Sequence, residues 1–165
     1  MDIFIEKMVK RKKEGIDYII QAMIIAAAAV LIIFLLAFIP GIGPFIAAAV
    51  LYGAYILVKA QYVEFEYSVT SGELDIDRIT GKRRRKRIFS ANCKDFEVLA
   101  KLNSDKYDQS VKTIKNRIAA VSSMQSEDVY FAFLHYNGNR TVVFFEPDKR
   151  MLDAFRSYIP RKVFE

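Results

Sequence analysis

The chain has 165 residues, 53% of them hydrophobic and 27% charged, with a formal net charge of +6. Residues Tyr18 to Val58 hold no Asp, Glu, Lys or Arg, so every charge lies outside a gap of 41 positions. Such a gap predicts a membrane segment joined to a charged domain and excludes a purely soluble chain. The single cysteine, Cys93, excludes an intramolecular disulfide, and with the single histidine, His135, it leaves almost nothing to bind zinc.

Residues 1–17 carry the membrane-surface cations Lys7, Lys10, Arg11, Lys12 and Lys13. Phe4, Ile5, Met8 and Val9 form an apolar stripe, which predicts a basic amphipathic segment lying on the inner leaflet as a short interfacial helix. A ragged positive start is the alternative.

Residues 18–39 are a 22-residue apolar run broken only by Gln21. As a helix they span roughly 33 Å, enough to cross a hydrocarbon core of about 30 Å. The sequence Pro40-Gly41-Ile42-Gly43-Pro44 ends that helix and turns the chain. Residues 42–60 resume the apolar run, with Lys59 placed to snorkel. Two spans are expected over 18–60, with a re-entrant second segment as the alternative. The run is too long for a cleaved signal peptide. It also holds no ionisable residue for a transport path. Basic residues flank both outer ends and none lies in the turn, so both termini are expected in the cytosol of a multi-pass cell-membrane protein. Ala49 and Gly53 form a small-xxx-small pair, which predicts helix packing within the hairpin, with a homodimer as the alternative.

From residue 61 the period changes to two. Val63, Phe65, Tyr67 and Val69 alternate with polar residues and predict a strand with one buried face. Strands are also expected over 73–79, 84–90, 93–100, 129–136 and 140–145, the last two joined by the hairpin turn Asn137-Gly138. Pro147 opens a C-terminal helix over 147–159, apolar at Met151, Leu152, Phe155 and Ile159. Residues 101–127 read as a flexible insertion with some helix, supported by Val111, Ile114, Ile118 and Val121.

Tyr67-Ser68-Val69-Thr70, Gly72-Glu73-Leu74-Asp75-Ile76, the basic run into Ile88-Phe89-Ser90 and the closing helix together resemble a bacterial pleckstrin-homology-like (PH-like) domain. Its position behind two spans is similar to a group of bacterial two-span membrane proteins with a cytoplasmic domain of this kind. The resemblance covers roughly residues 1–100 and 128–165 and includes no catalytic motif. It implies a membrane α-helical hairpin followed by an all-β or α+β domain over 61–165. That domain would be an antiparallel barrel or sandwich of about six to seven strands, capped by the C-terminal helix. Residues 101–127 depart from the pattern, standing where another strand is expected.

Lys82-Arg83-Arg84-Arg85-Lys86-Arg87 is the most distinctive run. One strand leads away from the membrane and the next returns, so this turn is expected near the leaflet as a site for anionic lipid or a partner. A solvated edge that blocks strand pairing is the bland alternative. Nucleic acid is not expected, because no aromatic residues interleave with the cations. Glu73, Asp75 and Asp77 lack the spacing of a calcium loop and are expected to pair with neighbouring arginines. Cys93 and His135 have no orienting third group and read as structural. No cofactor, no metal site and no enzymatic activity is expected. The expected function is a membrane-tethered interaction module that holds a protein partner, membrane or cytosolic, or acidic lipid at the cytoplasmic leaflet. A small accessory subunit of a transporter or sensor, working through its spans, is the alternative.

Overall fold

The computed structural model describes residues 4–39 and 41–164. The chain divides into two compact units, one of Lys12–Val63 with Thr80–Lys82, the other of Met1–Arg11, Glu64–Ile79 and Arg83–Glu165.

The first unit is a helical hairpin of α1 (Gly15–Phe38) and α2 (Gly43–Ala60). Helix α1 begins three residues before the expected boundary at Tyr18. The cause is local: the Asp17 carboxylate accepts from the Glu14 backbone N–H at 2.8 Å and caps the first turn. Gln21, Ile24, Ala28 and Ile32 are half-buried and Leu35 is buried, a three-and-four spacing that lays one seam along α1. Helix α2 buries Gly43 and Ala47. A Cβ on Gly43 would stand 2.7 Å from the Leu35 carbonyl oxygen, so only glycine fits that approach. The packing expected at Ala49 and Gly53 therefore falls elsewhere. Ala49 is exposed, and nothing lies within 4 Å of a Cβ built on Gly53. Both helices are long and apolar enough to cross a membrane, and only 6% and 11% of their most apolar stretches are buried.

The second unit is a two-sheet domain. Its first sheet runs in the order β1 (Phe4–Lys10), β2 (Val63–Thr70), β3 (Glu73–Thr80), β4 (Arg84–Asn92). The N-terminal segment is thus a strand of this domain and not an interfacial helix. Ile5 and Val9 are 8% and 6% exposed, whereas Met8 is 54% exposed. Burial follows period two, and pairing Phe4 to Lys10 antiparallel with Thr70 to Glu64 covers an edge that β2 would otherwise expose. The domain expected over 61–165 accordingly includes residues ahead of the hairpin as well.

The second sheet has β5 (Phe96–Lys101), β6 (Asn116–Ala120), β7 (Tyr130–Tyr136), β8 (Asn139–Phe145) and β9 (Val163–Phe164), in the order β6-β8-β7-β5-β9. Nine strands among the described residues exceed the expected six or seven; the additions are β1, β6 and β9. The short helix α3 (Gln109–Lys112) and β6 lie inside the segment expected to be flexible, and β6 pairs parallel with β8. A packing demand explains this order. Phe131, Phe133, Val142 and Phe144 form the outer face of the second sheet, and Val111, Ile114 and Tyr107 cover them. Asp108 caps α3, and bonds from Ser110 and the Val111 N–H hold its carboxyl below the usual range.

The inner faces share the main core. Phe145 stands edge-on to Tyr67 at 5.9 Å and to Phe155 at 6.2 Å. Phe155 belongs to α4 (Lys149–Tyr158), which buries Met151, Leu152, Ala154 and Phe155 and is capped by Asp148.

Candidate functional site

The six cations divide into two groups. Arg85 meets the Glu66 carboxylate at 2.6 Å and Asp77 at 3.8 Å. Arg87 meets Asp75 at 2.8 Å and Asp77 at 2.9 Å. The hydrogen bond to Asp77 leads the causes that raise the Arg87 pKa. Glu66 and Asp77 are nearly buried beneath these guanidinium groups. Two arginines thus answer three carboxylates, so this part of the run is neutralised and holds β2, β3 and β4 together. Glu73 takes the hydroxyl of Ser90 instead.

Lys82, Arg83, Arg84 and Lys86 remain exposed, and no ion pair holds them among the described residues. The available positive surface is therefore four residues, not six. Sequence alone could not divide the run, because Glu66 reaches it only through sheet pairing.

The turn that carries Lys82 is tightly made. Gly81 and Lys82 have φ of 60° and 58°, two successive left-handed residues in the three-residue connection between β3 and β4. Within the helical unit, the Gly81 N–H donates to the Tyr62 carbonyl at 2.8 Å, just past the end of α2. A Cβ on Gly81 would lie 3.3 Å from the Lys59 carbonyl oxygen, so the glycine lets two backbones meet.

Tyrosines gather at this same end. Lys13 donates to the Tyr62 hydroxyl at 3.1 Å and lies 4.2 Å from its ring centroid. Lys59 donates to the Tyr55 hydroxyl at 3.2 Å. Sequence reasoning gives Tyr18 and Tyr55 no role. Their signal was tyrosine beside lysine at the end of an apolar run, the composition of an interfacial aromatic belt.

The other cations ahead of the hairpin have mixed roles. Lys7 donates to the Glu146 backbone carbonyl at 2.8 Å, and Lys10 stands 4.0 Å from Glu64, so both serve the β-domain. Arg11 and Lys12 are exposed. Cys93 is buried with its Sγ close to Gly72, and burial pushes its thiol pKa up, away from a nucleophilic thiolate. His135 is exposed and bonds Glu97 at 2.8 Å. No cluster of metal-ligating side chains occurs among the described residues.

Comparison with known proteins matches residues 1–165 to the family described as "Bacterial PH-like domain (DUF6106)". No curated protein and no solved structure matches. The match runs through hairpin and sheets alike, as the resemblance of the β-strand pattern implied. Two long apolar helices and a sheet-rich unit closed by α4 are compatible with that assignment. The chain belongs to the DUF6106 family of bacterial PH-like domains.

Proposed function

We propose that the chain is a non-enzymatic, membrane-tethered interaction module. Its hairpin crosses the membrane with both termini in the cytosol, and its domain works beside the inner leaflet on acidic lipid or a protein partner. The family carries the first part of this reading, since PH-like domains are lipid- or protein-interaction modules. The orientation follows from charge and connectivity. Lys10 pairs with Glu64 across β1 and β2, so the hairpin is inserted between two paired strands and its ends start from one point. Lysines flank those ends, and the turn at the other end has none.

The observation that carries the site is the bond from Gly81 to Tyr62, which fastens the cationic turn to the end of α2. Cations at an anionic surface gain on the order of 1 kcal/mol each, within a Debye length of about 8 Å. Hydrogen exchange over residues 80–87 of the full chain tests this reading. Exchange should be slower in nanodiscs with anionic lipid than in neutral ones, and salt should erase the difference. Arg83→Glu, Arg84→Glu and Lys86→Glu together should remove it. Arg85 is left intact, because a glutamate there would face Glu66 and Asp77. Equal exchange in both lipids would reject the lipid reading.

The accessory-subunit reading has one observation in its favour. Ala49 and Gly53 present small, unburied surface on α2, as a partner helix would require. It is supported if crosslinked partners survive the charge reversal and are lost on Ala49→Leu with Gly53→Leu.

A further inference from the structure

We propose that the end of the helical hairpin is a built site for one anionic phospholipid. Its headgroup phosphate sits between Lys59 and Lys82 and a chain lies along α2; the proposal rests on the membrane-spanning reading above. A cavity of about 440 Å3 opens here, lined by Tyr55, Val58, Lys59, Tyr62 and Lys82. That volume is in the range of small-ligand sites, roughly 300–1,000 Å3, and suits a headgroup with its glycerol.

The lining selects the ligand. Two lysines and two tyrosines line one space with no carboxylate among them. An ammonium is a compact charge that meets phosphate oxygens from any direction, whereas a tyrosine spans wet and apolar surroundings. Lys59 already leans on the Tyr55 hydroxyl, and among the described residues neither Lys59 nor Lys82 has a carboxylate partner. The negative end of α2 opposes an anion, but it amounts to roughly half a charge against two full positive ones. The Gly81 N–H already occupies the Tyr62 carbonyl.

The apolar side continues the same face. Leu51, Tyr55 and Val58 recur at spacings of four and three, one stripe of α2 that leads to Tyr62 just past its end, and Leu51 and Tyr55 are exposed. A soluble phosphate would have no use for that stripe. An acyl chain would.

Position matters as much as composition. Lys82 reaches the cavity because Gly81 lies against the Lys59 carbonyl without a Cβ between them. The site therefore joins residues from two distant parts of the chain, 55–62 and 80–82.

The test uses the full chain in nanodiscs of phosphatidylcholine with a minor fraction of phosphatidylglycerol, with retained lipid counted by native mass spectrometry. One phosphatidylglycerol per chain should be retained in preference to phosphatidylcholine. Lys59→Gln and Lys82→Gln should each lower its retention about fivefold, and Lys82→Arg should keep it. Arg83→Gln with Arg84→Gln and Lys86→Gln should lower it less than either single lysine change, since these residues do not line the cavity and draw anionic lipid to the leaflet as a whole rather than to this site. Equal retention of both lipids, or an unchanged Lys82→Gln variant, would overturn the site and leave the membrane reading standing. Displacement by soluble glycerol phosphate would overturn the lipid in favour of a free phosphate. A chain that does not enter the nanodiscs overturns both.

Discussion

At the scale of single residues, Tyr67 shows how a position that reads only as apolar can organise a domain. Its hydroxyl donates to the Ala120 carbonyl and accepts from the Glu146 N–H at 3.3 Å, so one side chain of β2 secures β6 and the end of β8. The Glu146 side chain in turn takes the Ser122 N–H at 3.1 Å and the Ser122 hydroxyl at 2.7 Å. Tyr67→Phe strands a buried acceptor and a buried donor, and should cost about 1–3 kcal/mol, read as a lower melting temperature of the full chain in detergent. The pH dependence follows from burial, which raises the Tyr67 pKa far above its ordinary value near 10. The folded state then holds a proton that the unfolded state releases, so this stability is complete below about pH 10 and is lost as pH rises beyond it. The phenylalanine variant should lose less stability over that alkaline range. Identical slopes for the two proteins would disprove the linkage.

Among the elements, residues 101–127 changed most between expectation and structure. The stretch reads as a flexible insertion with some helix, because its first residues are polar and its apolar residues are sparse; α3 is a short helix within it, and β6 is the element not expected. The opposing sequence was the better guide. In Tyr130–Tyr136 and Asn139–Phe145 the apolar residues run almost without alternation, the pattern of strands buried on both faces. A sheet buried on both faces needs two covers, and α4 can supply only one. Ile114→Asp places a charge against the outer face of the second sheet, and should free the amides of residues 116–120 to exchange while those of 140–145 stay protected. If residues 116–120 already exchange freely in the unaltered protein, the cover is not a stable part of the fold. Strand β1 was misread for a similar reason. Ile5, Met8 and Val9 fit a helical stripe on paper, and only the unpaired edge of β2 selects period two.

At the scale of the whole molecule, inserting two apolar helices between paired strands constrains topology. Closing β1 on β2 requires the hairpin to leave and return at one place, which an odd number of crossings could not satisfy. Single cysteines test the orientation. Ile42→Cys, in the exposed turn between the helices, should react with an impermeant reagent in intact cells. Asn137→Cys, in the exposed turn between β7 and β8, should react only after permeabilisation. Cys93 can remain, because it is buried and its thiol pKa is raised. Labelling of Asn137→Cys in intact cells would reverse the orientation.

Local composition was enough to establish the charge-free gap, the prolines and glycines that fold it back, the alternating strands, the Asn137-Gly138 turn and the amphipathic closing helix. Each depends on neighbours within a few positions of one another, and so does the family pattern that they form. Tertiary structure decided which strands pair, what covers the second sheet and which cations stay free. Arg85 and Arg87 look the same as Arg83 and Arg84 in sequence, and differ only because Glu66, Asp75 and Asp77 come alongside when β2, β3 and β4 assemble. Charge is a property of a residue, whereas its neutralisation depends on long-range neighbours that only the assembled fold brings together.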